Sequence, residues 1–146
     1  MLNVLIAEDN VILADILEDY LISQDFEVCG TARTADEAVT LANLHKPDLA
    51  VLDFRLGDGA YGSQVRARMK DKGHMGILYV SGDPLGKILT RADGEAYLQK
   101  PYGMNDLARS LRIVHEIKTN GTISPERFPR GFNLLGDSVS VRRKSA

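Results

Sequence analysis

Short apolar runs alternate with helix-period segments five times along residues 1–119, and that alternation leaves few folds open. The apolar runs are Leu2–Ala7, Phe26–Thr31, Leu49–Asp53, Gly76–Val80 and Ala96–Gln99, each short enough for a buried strand. Between them lie helix patterns. Asp9 or Asn10 caps the first, which carries Ile12, Leu13, Ile16, Leu17, Tyr20 and Leu21 at helical spacing. Thr34 and Glu37 form a capping box for the second, whose apolar face is Ala38, Leu41, Ala42 and Leu44 and which Pro47 stops. The third spans Ser63–Lys72 and ends at Gly73. Asp83-Pro84 opens a fourth, kept short by Gly86. Asn105 caps the fifth, with Leu107, Leu111, Val114 and Ile117 on one face. Strand and helix in strict alternation imply right-handed crossovers and a parallel sheet covered on both faces, an α/β fold.

In such sheets function gathers beyond the carboxyl ends of the strands. Glu8-Asp9 follows the first apolar run, Asp53 ends the third, Ser81 follows the fourth and Lys100 follows the fifth. Each alone has a plain explanation: Asp9 as a helix cap, Ser81 as a turn residue, Lys100 as a surface charge. All on one rim make an acidic mouth with its own cation. The three carboxylates are hard oxygen ligands suited to Mg²⁺, which would offset their mutual repulsion and keep Asp53 ionised. His45, His74 and His115 are scattered, and the chain has one cysteine, Cys29, so neither a zinc cluster nor an internal disulfide is expected. An ionised aspartate beside Mg²⁺ and lysine suits acceptance of a phosphoryl group, with the Ser81 hydroxyl as a further donor.

On these residues the chain resembles the receiver domains of two-component response regulators over residues 1–119. The resemblance implies a flavodoxin-like, doubly wound five-stranded parallel sheet of order 2-1-3-4-5 with helices on both faces. It implies that Asp53 takes phosphate from a histidine kinase or phosphotransfer protein. It also implies Mg²⁺ on Asp9, Asp53 and the backbone carbonyl of Arg55, with Glu8 assisting through water. Ser81 and Tyr97 would form a switch pair, Tyr97 turning inward as Ser81 moves to the phosphoryl group, and Lys100-Pro101 would be cis. Two positions depart from the family pattern. Gly57 stands where many relatives carry proline, which predicts a flexible loop after Asp53, and Gly82 follows Ser81 where alanine is usual.

From Asn120 the character changes. Five basic residues against two acidic give residues 120–146 a charge of +3, leaving −5 for residues 1–119. Phe128, Phe132, Leu134 and Leu135 are too apolar for a solvated linker, so this extension is expected to fold back on residues 1–119 or to serve as an exchanged or docking arm, which would allow a homodimer. Gly136-Asp137 reads as a hairpin turn between Phe132–Leu135 and Ser138–Val141. No output domain fits in these residues, so the reading is a single-domain receiver acting on an unidentified downstream protein.

The overall charge of −2 argues against direct nucleic-acid or membrane attraction, and no apolar run approaches a membrane span. The N-terminus lacks a signal-peptide pattern, so a cytoplasmic location is expected. Four alternatives are weaker or finer. A phosphatase of the haloacid-dehalogenase type needs a second acid where Arg55 stands, and a flavin module needs a hydroxyl-rich phosphate loop where Glu8-Asp9-Asn10 stands. A phosphorylation-independent pseudo-receiver would not need the intact acid, serine and lysine set, and a phosphorelay intermediate would share it. In every receiver reading the chemistry is self-phosphotransfer and autodephosphorylation, not enzymatic turnover.

Overall fold

The computed structural model describes residues 1–146 except 72, 124–126, 137–139 and 142–146. Strands β1 (Asn3–Ala7), β2 (Glu27–Ala32), β3 (Leu49–Asp53), β4 (Gly76–Ser81) and β5 (Ala96–Gln99) form the parallel order β2-β1-β3-β4-β5. Every residue of β3 and β4 is buried, as expected of central parallel strands covered on both faces.

Side chains alternate across the sheet and feed two cores. Leu5, Ala7, Ala50, Leu52, Ile77, Tyr79 and Tyr97 point to the face of helices α2 (Ala35–His45) and α3 (Ser63–Arg68). Val4, Ile6, Val51, Leu78, Val80 and Leu98 point to the face of α1 (Val11–Ser23) and α4 (Met104–Asn120). The predicted face of α4 is buried in full at Leu107, Leu111, Val114 and Ile117.

Several local expectations are corrected. Asn10, not Asp9, caps α1, its Oδ1 accepting from Leu13 N at 3.2 Å. The buried stripe of α1 is Ala14, Leu17 and Leu21, while Ile12 and Ile16 face outward. On α2, Leu44 is likewise exposed. Helix α3 stops at Arg68, because Met69 adopts an extended conformation that buries its side chain. Gly103, not Asn105, stands at the N-cap of α4. The expected fourth of five helices is absent. Residues 82–94 form successive turns, closed by bonds such as Leu89 N to Leu85 O (2.9 Å) and Asp93 N to Thr90 O (2.9 Å). Gly86 and Gly94 weaken any helix here, and Asp83 N donates to Ser81 Oγ, so the expected cap is engaged as part of a turn.

The turn expected at Gly136-Asp137 lies partly outside the described residues, and the described parts of its two arms pair with other strands. Its first arm, β7 (Phe132–Leu134), adds to the sheet antiparallel to β5, in the register Ala96↔Leu134, Tyr97↔Asn133 and Leu98↔Phe132. Its second, β8 (Ser140–Val141), pairs in parallel with β6 (Thr122–Ile123). Strand β7 thus lies against residues 1–119 of its own chain. Among the described residues no helix is long and apolar enough to cross a membrane.

Candidate functional site

Parallel strands all point the same way, so their carboxyl ends share one rim. Glu8 and Asp9 follow β1, Asp53 and Ser81 end β3 and β4, and Lys100 follows β5. One carboxylate oxygen from each of Glu8, Asp9 and Asp53 lies within 4.8 Å of the others. Lys100 Nζ donates to Asp53 Oδ2 at 3.0 Å, and Arg55 N donates to Asp53 Oδ1 at 3.3 Å. Glu8 and Asp53 are buried, and Asp9 is exposed.

Two buried acids at such range cannot both carry a full negative charge cheaply. Burial and then the neighbouring Asp53 push the Glu8 carboxyl up to about 7, against a smaller downward pull from Lys100. This upward shift and the all-oxygen donor set fit a cation: the triad could bind a metal ion, whose charge would relieve the crowding.

Ser81 is buried, and its Oγ accepts from Asp83 N at 3.0 Å, leaving its proton without a partner among the described hydrogen bonds. Lys100 N donates to Ser81 O at 2.7 Å, so the ends of β4 and β5 are tied. The Lys100-Pro101 bond is cis. Tyr97 is buried, in the core on the α2 and α3 face. The loop after Asp53, for which Gly57 suggests flexibility, is hydrogen-bonded to its surroundings. Gly57 N donates to Arg33 O at 3.3 Å, Asp58 Oδ2 accepts from Ala35 N at 3.2 Å, and Leu56 N donates to Ala60 O at 2.9 Å. A β-carbon on Gly57 would stand 3.0 Å from Asp9 Cβ, so glycine permits a close approach of loop and site.

Some rim residues were not singled out from sequence. The Arg55 side chain, expected to matter only through its carbonyl, reaches Asp83 at 3.3 Å, bridging the loops after β3 and β4. The guanidinium also lies over the rings of Phe54 and Tyr61, which stack at 5.0 Å. Tyr102 follows Lys100-Pro101, and burial together with Glu8 and Asp53 pushes its phenol up to about 12. Its hydroxyl is buried without a hydrogen-bond partner among the described residues. Position in the loops that leave β4 and β5 was the available signal for Asp83 and Tyr102.

Comparison with known proteins yields one family. The model described as the response regulator receiver domain matches residues 4–112. Among curated proteins, the chain is 32% identical over 113 residues to the transcriptional regulatory protein PdtaR of Mycobacterium tuberculosis, covering 76% of this chain and 55% of that protein. It is 28% identical over 117 residues to the transcriptional regulatory protein DesR of Bacillus subtilis, covering 78% and 58%. The chain thus spans little more than half the length of these relatives. Among solved structures, the signal receiver domain of a modulated diguanylate cyclase from Desulfovibrio desulfuricans superposes with a TM-score of 0.68 at 28% identity, over 82% of this chain and 97% of that one. A CheY-like receiver domain protein from Methanospirillum hungatei gives a TM-score of 0.70 at 23% identity and the same coverage, a likeness of fold alone.

Proposed function

The chain belongs to the response regulator receiver domain family, and from that membership we propose that Asp53 accepts a phosphoryl group from the phosphohistidine of a histidine kinase or phosphotransfer protein. The observation that carries this reading is the meeting of Glu8, Asp9 and Asp53 carboxylates within 4.8 Å, with Lys100 at 3.0 Å from Asp53. A receiver is a signalling module and not a classical enzyme, and a kinase partner follows from the family in general terms.

In the transfer, a carboxylate oxygen of Asp53 attacks phosphorus in line with the P–N bond of the donor. The new O–P bond forms an acyl phosphate, and the imidazole nitrogen leaves with the electron pair and takes up a proton. Lys100 exchanges its contact with Asp53 Oδ2 for a phosphoryl oxygen, neutralising charge where it accumulates. Ser81 turns its uncommitted hydroxyl proton toward another phosphoryl oxygen, and Tyr97 fills the space beneath it, so that the pair reports phosphorylation to the surface. Asp9, Asp53 and the backbone carbonyl of Arg55, with Glu8 assisting through water, would hold Mg²⁺, which would supply further neutralisation of the phosphoryl oxygens. Water later attacks phosphorus and restores the carboxylate, releasing inorganic phosphate.

Incubation with acetyl phosphate and Mg²⁺, read by intact mass, tests the assignment. One phosphoryl adduct is expected on the wild type and none on Asp53→Asn. Equal labelling of both proteins would refute it.

A further inference from the structure

The extension that closes the sheet touches the switch position directly. Strand β7 covers the otherwise open edge of β5, with Gln99 N donating to Gly131 O and Leu135 N donating to Glu95 O, both at 3.0 Å. Its side chains seat on both faces of the sheet. Phe132 is buried with Leu98, Leu107 and Leu111 on the α4 face. Leu135 is fully buried on the other face, in the same cluster as Tyr97, Leu85 and Leu89. The segment 82–94 lacks a helix, so Leu135 reaches these leucines unobstructed. A third anchor lies away from the site: Arg127 forks onto both Glu116 oxygens at 2.7 Å, and its carbonyl accepts from Arg109 Nη2 at 3.1 Å.

Tyr97 connects these contacts to the rim. Its register partner is Asn133, which makes Leu135 a diagonal neighbour on the same face, within reach of an aromatic ring. Two residues on, Gln99 is held by Gly131, and the next residue is Lys100, bound to Asp53 through its side chain and to Ser81 through its backbone. An extended segment laid on an exposed sheet edge is a known mode of peptide recognition, here met within one chain.

We propose that residues 127–135 are a built-in latch: docking of β7 on the β5 edge favours the inward position of Tyr97 and is coupled, with positive sign, to phosphorylation of Asp53. The inference rests on the phosphoryl-acceptor reading. Phosphorylation draws Ser81 to the phosphoryl group and favours Tyr97 inward. The docked latch favours the same Tyr97 position through Leu135. Two perturbations that bias one two-state element in one direction strengthen each other by the same factor. The latch is then both a stabiliser of the receptive state and the element whose attachment reports phosphate.

The test uses the full chain with Mg²⁺ and beryllofluoride, a phosphoryl analogue, and reads amide hydrogen exchange at Tyr97, Gln99, Asn133 and Leu135. Exchange of these amides is expected to slow about tenfold when the analogue binds. Reciprocally, Leu135→Ala is expected to weaken analogue binding by a similar factor. Because Leu135→Ala removes core packing, Arg127→Ala serves as a second variant that loosens the latch from its far anchor, and it should shift binding in the same direction. Analogue bound at Asp53 with unchanged or faster exchange at β7, or with full affinity retained in both variants, would overturn the latch and leave the acceptor reading standing. Failure of the wild type to bind the analogue or to label with acetyl phosphate would overturn both.

Discussion

Replacing the acceptor should make the metal-free protein more stable, and the geometry sets the size of the effect. In Asp53→Asn the side chain keeps its shape and loses its charge. At 4.8 Å, two ionised carboxylates repel by about 3.5 kcal/mol at an effective dielectric of about 20. Asp53 faces two such neighbours, Glu8 and Asp9. Against this, Lys100 at 3.0 Å attracts by about 5.5 kcal/mol on the same scale. Both the Asp9 and Lys100 contributions shrink, since Asp9 is exposed and the Lys100 side chain is 34% exposed. Buried Glu8 keeps most of its repulsion, and the desolvation of Asp53 itself adds to it. The balance favours asparagine by about 2 kcal/mol once Glu8 is ionised, at about pH 8. Urea unfolding followed by circular dichroism, in the presence of a chelator, measures it. With Mg²⁺ the order should narrow or reverse, because a ligand at about 100 times its Kd stabilises the folded wild type by about 2.7 kcal/mol. An asparagine variant less stable than the wild type in chelator at that pH would refute the claim that the mouth is electrostatically overcrowded.

Three further outcomes are expected. Gly62→Ala would place Cβ 2.6 Å from the Asp53 carbonyl oxygen and 3.3 Å from the Tyr79 ring, so it should lower stability by about 2 kcal/mol in urea unfolding and slow acetyl phosphate labelling by displacing Asp53. Glu95 is fully buried, accepting from Ile77 N at 2.8 Å and Arg91 Nη1 at 2.6 Å. Glu95→Ala should cost about 3 kcal/mol, and Glu95→Gln, which retains the acceptor for Ile77, distinctly less, both read by the same unfolding assay. Glu8 has a folded pKa raised from 4.5 to about 7, so its protonated form is the one that favours folding. That contribution is full below about pH 4.5 and lost as the pH rises to about 7, so metal-free stability should fall across this window in a pH series and fall less in Glu8→Gln.

The rim was legible in the chain because its information is local. A short run that is apolar on both faces fits a central parallel strand, and alternation with helices orients all such strands alike. Once Leu49–Asp53 is read that way, the positions of Glu8, Asp9, Ser81 and Lys100 relative to Asp53 follow from strand polarity, and 3.0 Å between Lys100 and Asp53 is the realised form of that inference. Helix faces were less legible. Helical spacing puts Ile12, Leu13, Ile16, Leu17, Tyr20 and Leu21 on one stripe of α1, whereas the sheet takes Ala14, Leu17 and Leu21 and leaves Ile12 and Ile16 outside.

The extension was not legible in its detail, for a different physical reason. Phe132–Leu135 and Ser138–Val141 carry a pattern compatible with a local hairpin, and Gly136-Asp137 supplies its turn. What decides otherwise is remote: an unpaired β5 edge more than thirty residues earlier, and a turn segment at 82–94 that leaves Leu85 and Leu89 open to Leu135. Local propensity cannot weigh one hydrogen-bonding edge against another, because the competing partner exists only after the sheet has formed. Sequence pattern therefore sufficed for where the acids and the lysine gather, while only tertiary assembly assigned β7 to the edge beside Tyr97.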